Sequence, residues 1–92
     1  MNKAYYDIVC NKPLTENIYE MKLEGDTSHI TAPGQFINIK LDGFYLRRPI
    51  SICDYDDETI TIIYKVVGQG TADMAMLDKG NRLDVLCGLG NG

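Results

Sequence analysis

The chain has 92 residues, 45% of them hydrophobic, and a formal net charge of −4. That length allows one domain with a modest core, and the hydrophobic content excludes a disordered chain. The acidic balance excludes a general nucleic-acid binder, so any anion site must be local; no apolar run approaches the ~18 residues of a membrane span.

Met1-Asn2-Lys3-Ala4-Tyr5 carries no hydrophobic signal segment, so a cytoplasmic protein is expected. Tyr5–Cys10 alternates, with Tyr6, Ile8 and Cys10 on one face, and Asn11-Lys12-Pro13 punctuates it. Asn17–Leu23 alternates again, placing Tyr19, Met21 and Leu23 opposite Glu20 and Lys22. The polar stretch Gly25–Thr31 reads as a loop, and His29 within it as a surface residue. Pro33-Gly34 fits the centre of a type II turn, because proline presets φ and glycine accepts a positive φ. A strand at Gln35–Leu41 follows, with Ile37, Ile39 and Leu41 inward, and then the turn signal Asp42-Gly43.

Leu46–Cys53 is a strand that breaks strand rules. It holds two adjacent arginines and Pro49, which cannot donate a ladder hydrogen bond. The acidic run Asp54–Glu58 reads as a solvated hairpin tip, since no glycine bends it into a calcium loop. Thr59–Val67 is the most β-branched strand. After Gly68-Gln69-Gly70-Thr71 the period changes, and Ala72–Asp78 suits a short helix with Thr71 as N-cap and Lys79-Gly80 as its stop. Arg82–Leu86 is the last strand, and a glycine-rich end at Gly88–Gly92 reads as a connection to something further. Six short strands and one short helix indicate an all-β fold, a closed or nearly closed antiparallel barrel.

Two stretches carry the chemistry. Gly68-Gln69-Gly70-Thr71 precedes a helix, whose first N–H groups are unpaired and favour anions. Arg48 lies one hairpin away, and its planar guanidinium can grip a diphosphate through two parallel hydrogen bonds. Arg47 falls on the opposite face by simple alternation and reads as a solvated strand charge. Period two also separates Arg48 from Ser51. A shared ligand then requires either a bulge at Pro49 or contact through a backbone group. The three cysteines have no metal-binding or redox spacing and read as buried reduced thiols, and no metal site is expected.

Arg48-Pro49-Ile50-Ser51, followed by Ile63–Thr71, resembles the FAD-binding domain of the ferredoxin–NADP reductase superfamily. Within it, the chain is most similar to the electron-transfer subunit of the dihydroorotate dehydrogenases that use NAD. The resemblance also takes in Ile18–Met21, Pro33–Phe36, Asp84–Leu86 and Leu89–Gly92. It implies a six-stranded antiparallel Greek-key barrel with one short helix. Residues 1–87 would form the FAD-binding barrel, and 88–92 would begin the connection to a NAD-binding domain. It further implies that Arg48 holds the FAD pyrophosphate, Pro49 counts among the cofactor-binding residues, Ser51 hydrogen-bonds near flavin N5, and Ile50 packs on the ring in place of the superfamily's tyrosine. Tyr64, Lys65 and Val66 would line flavin and ribose largely through backbone groups, and Gly70 and Thr71 would complete the phosphate cradle. No side chain is expected to act as acid, base or nucleophile.

In this family NAD(P)H, a 2Fe–2S cluster and a catalytic flavoprotein subunit complete the electron path, and the first two belong to sequence beyond Gly92. The chain alone is therefore not expected to be active. Cys87-Gly88 departs from the subgroup's usual glycine and proline. A ferredoxin:NADP or sulfide-type reductase subunit would share the same motifs. A non-flavin barrel serving as a protein-interaction module is the rival of another class, but it has no use for Arg48 beside a glycine-rich helix start.

Overall fold

The computed structural model describes residues 2–28, 30, 34–40 and 47–89. The readings of His29, Pro33, Leu41, Asp42-Gly43, Leu46 and the Gly90–Gly92 end lie outside them. Six strands run antiparallel: β1 (Asn2–Pro13), β2 (Ile18–Glu24), β3 (Phe36–Ile39), β4 (Arg48–Tyr55), β5 (Thr59–Lys65) and β6 (Arg82–Leu89). They close into a barrel in the order β1-β2-β5-β4-β3-β6, and one helix, α1 (Gly68–Ala75), joins β5 to β6. No described helix is long and apolar enough to cross a membrane.

The alternating residues fill the barrel as the sequence pattern predicts. Tyr6, Met21, Leu23, Ile37, Ile39, Ile60 and Ile62 are all completely buried. Gly34 has φ +92°, the value its turn position requires. The hairpin tip is held by Asp56, whose Oδ1 accepts the N–H groups of Glu58 and Thr59 at 2.8 Å. Those bonds hold its carboxyl below the usual range.

Four details differ from expectation. First, β1 does not stop at Asn11; it continues to Pro13, and its register against β2 shifts between Ile8 and Cys10. Beyond this bulge, Cys10 pairs with outward Lys22, while Asn11 pairs with inward Met21. The extra residue has exchanged the faces. Second, α1 begins at Gly68, four residues earlier than its predicted start, with Val67 as N-cap. Thr71 is therefore inside the helix. Third, the last strand does not stop at Leu86; β6 continues to Leu89, which pairs with Phe36. Fourth, Cys53 is exposed and free, not buried; the β4 register shifts between Ile52 and Asp54, and Cys53 is the extra residue there.

Candidate functional site at the β4–β5 seam

The pairing pattern interrupts the barrel wall between β4 and β5. β4 pairs with β3 from Arg48 to Ser51, opposite Ile39, Asn38, Ile37 and Phe36. It pairs with β5 only from Ile52 onward, where Ile52 meets Ile62. β5 meanwhile continues to Lys65, paired with Ile18 on its other side. The segments 48–51 and 63–65 thus carry no ladder pairing with one another, and this unpaired seam forms a wedge in the pairing between β4 and β5. Pro49 contributes to this opening, since it has no N–H for a ladder.

Peptide direction shows what faces the wedge. Ile52 donates its N–H to the Gln35 carbonyl at 2.8 Å and accepts from Gly34 at 3.0 Å, so its peptide groups face β3. Those of Pro49 and Ser51, one residue out of phase, face β5. Val66 donates to the Asn17 carbonyl at 2.7 Å on the β2 side, so the peptide groups of Lys65 face β4. No register shift occurs at Pro49, which pairs with Asn38 in phase. Of the two ways for Arg48 and Ser51 to share a ligand, only contact through a backbone group survives.

The wedge lies at the helix end of the barrel. α1 leaves the C-terminal end of β5 and enters the N-terminal end of β6. Arg48 opens β4 at that same end, opposite Ile39. Continued in the register of Ile52 and Ile62, Arg48 would stand across from Val66, close to the start of α1 in the chain. Arg48 is exposed, and among the described residues its side chain has no ion pair or hydrogen bond. Pro49, Ser51 and Lys65 are also exposed, while Ile50 and Val66 are half-buried against the core.

The other three expected residues are placed differently. Tyr64 is only 3% exposed, and its ring stacks on Tyr19 with centroids 5.8 Å apart. Its hydroxyl donates to Asn11 Oδ1 at 2.8 Å, and burial pushes its pKa up to about 12. The Tyr64 side chain is thus inside the barrel wall. Gly70 is buried in the first turn of α1. Thr71 is buried, and its hydroxyl bonds Val67 twice, accepting its N–H at 2.6 Å and donating to its carbonyl at 2.7 Å. The donors left for a ligand at this helix start are the N–H groups of Gly68, Gln69 and Gly70. Gly68 has φ +77°, a conformation glycine enters readily.

Arg47 is not a solvated strand charge. Its guanidinium bonds Asp84 Oδ1 at 3.0 Å and the Asp84 carbonyl at 3.2 Å, and reaches the Asn38 carbonyl at 3.5 Å. The chain immediately before Arg48 is thereby fastened to β3 and β6. Alternation could not reveal this, because Arg47 precedes the regular strand and Asp84 is far away in sequence. Asn11 is the other residue that the sequence pattern hides, behind the β1 bulge. A cavity of about 430 Å³ lies between α1 and the start of β6, lined by Lys40, Asp73, Leu77, Arg82 and Asp84 among others. None of the expected site residues lines it. Among the described residues, no group of three or more His, Cys, Asp or Glu is placed to hold a metal ion.

No protein-family model matches the chain. Individual proteins do match. The dihydroorotate dehydrogenase B (NAD(+)) electron-transfer subunit of Bacillus velezensis is 39% identical over 98 residues, covering 100% of this chain and 38% of its own length. That of Fusobacterium nucleatum is 44% identical over 88 residues, covering 89% and 34%. That of Enterococcus faecalis is 44% identical over 90 residues, covering 92% and 34%. This chain is homologous to one part of those subunits. It spans little more than a third of the relatives' length. A solved structure of an NADH-dependent reduced ferredoxin–NADP oxidoreductase, described in the context of flavin-based electron bifurcation, superposes with a TM-score of 0.81. It is 26% identical, and the match covers 96% of this chain and 33% of that one.

Proposed function

We propose that this barrel binds the FAD of an electron-transfer subunit. Electrons from NAD(P)H would pass through the flavin to a 2Fe–2S cluster and on to a catalytic flavoprotein partner, in a cytoplasmic hetero-oligomer. The observation that carries this reading is the β4–β5 ladder ending at Ile52 and Ile62, with an Arg48 side chain that has no partner among the described residues at the same end as the α1 N-terminus.

The donor set fits a dinucleotide flavin. Arg48 offers a fork for a diphosphate, and the Gly68–Gly70 amides offer N–H groups and a helix dipole. Peptide groups of Pro49, Ser51 and Lys65 face the wedge, where the edge of a planar heterocycle can be hydrogen-bonded. Ile50 and Val66 supply half-buried apolar surface beneath it. Ser51 is the hydroxyl nearest the chemistry. When bound, the flavin accepts hydride and releases single electrons; the chain's own part is to hold, orient and shield it. NAD and cluster binding, and the partner contact, belong to the whole protein and are proposed from the relatives. The ferredoxin–NADP oxidoreductase match keeps a reductase subunit of that type as the second reading.

FAD titration followed by flavin absorbance and fluorescence tests this. The expected outcome is binding with a band shifted from free flavin. Arg48→Ala should weaken it by about 1.5–3 kcal/mol, the scale of a hydrogen bond to a charged group. Absence of binding by the intact protein would sink the flavin reading, and unchanged affinity in the variant would remove Arg48 from the diphosphate.

A further inference from the structure

Asn11 is where three elements meet. The bulge between Ile8 and Cys10 turns it to the inner face, opposite Met21. There its Nδ2 donates to two carbonyls, that of Met74 in the last turn of α1 and that of Leu77 just past it, each at 2.8 Å. Its Oδ1 accepts the Tyr64 hydroxyl at 2.8 Å. The amide orientation is forced, since carbonyl oxygens only accept and the end facing them must be the NH2 group. Tyr64 sits on β5 beside Lys65, and its ring is locked by Tyr19.

α1 needs such a fastening. It has eight residues, two glycines, and no basic residue in its last turn. A helix this short is unstable alone, and its orientation comes from tertiary contacts. Gly70, Thr71 and Met74 bury one face of it, and such non-directional packing does not by itself fix the direction of its axis. Directed bonds from Asn11 to Met74 and Leu77 fix the axis from the far end. Because α1 spans only two turns, a tilt at its C-terminus also moves the Gly68–Gly70 amides.

We propose that Asn11, oriented by Tyr64, is a positioning residue that aims the α1 N-terminus at the anionic part of the ligand. This rests on the flavin reading above. Asn11 touches no ligand itself; it acts on the diphosphate end and not on the ring. Binding should therefore respond to its loss only where the ligand carries phosphate.

The test compares FAD with riboflavin, which has the same ring and no phosphate, on the intact protein and on Asn11→Ala and Tyr64→Phe. Asn11→Ala should weaken FAD about tenfold, the scale of a helix terminus acting on an anion, and leave riboflavin unchanged. Tyr64→Phe should weaken FAD by a smaller factor, also without affecting riboflavin. It keeps the ring and serves as the test if Asn11→Ala fails to fold. Equal loss for both ligands, or no loss for FAD, would overturn the positioning role. A parent protein that binds no FAD would instead remove the flavin reading, and this inference with it.

Discussion

Arg47 and Arg48 are adjacent, identical in chemistry and opposite in use. Arg47 is tied to Asp84, with both side chains mostly covered at 24% and 16% exposure, and Lys3 reaches the same carboxylate at 3.5 Å. Arg48 is exposed and has no such partner among the described residues. The single charge of Asp84 is thus engaged by Arg47 and Lys3 and not by Arg48. Exposed ion pairs contribute at most ~1 kcal/mol, and breaking fully buried ones costs about 3–5 kcal/mol. This pair lies between, so Arg47→Ala should destabilise the fold by roughly 1–3 kcal/mol. Arg47→Lys should recover only part of that, because an ammonium cannot reproduce the fork. Urea unfolding of the two variants checks this, and a loss below the precision of the measurement would return Arg47 to the solvated class. The sequence does not show the pair, since alternation describes which way a residue faces and not what lies across the barrel.

The strands were legible as elements because their apolar residues recur at period two: Met21 and Leu23, Ile37 and Ile39, and Ile60 and Ile62 are all buried. What stayed hidden follows from local exceptions. Asn11-Lys12-Pro13 has the composition of a turn, yet the bulge before it lets β1 continue and brings a polar side chain inside. Gly68-Gln69-Gly70 has the composition of a loop, yet packing of Met74 and the tether from Asn11 hold it helical. Thr71 reads as an N-cap by type, but it lies one turn into the helix and bonds back to Val67. The wedge itself follows from where a ladder stops, and only Pro49 hints at it. Thr71→Val tests the helix start. It keeps the shape, deletes the hydroxyl and leaves the Val67 N–H without its acceptor at a position where Thr71 is 2% exposed. The expected cost is about 1–2 kcal/mol of stability, seen in urea or thermal unfolding. If stability holds while FAD binding falls, the hydroxyl belongs to the ligand and not to the helix.

At the scale of the whole molecule, the barrel is closed by its first and last strands. β1 pairs with β6 from Asn2 opposite Cys87 to Asp7 opposite Arg82. Closure leaves no open sheet edge among the described strands, apart from the wedge. It also makes the fold depend on contacts between opposite ends of the chain. Bringing those ends together costs loop entropy before any pairing compensates, so folding should be slow for this size. Refolding on the order of milliseconds to seconds is expected, typical of barrels with mainly non-local pairing. α1 is too short to persist without the barrel, so its helical signal and the tertiary signal of the tyrosines should vanish in one transition. Stopped-flow refolding with far- and near-ultraviolet circular dichroism measures both. Microsecond refolding, or helical signal outlasting the tertiary signal, would mean that α1 forms by itself. Its aim at the wedge would then owe less to Asn11 and the strands around it.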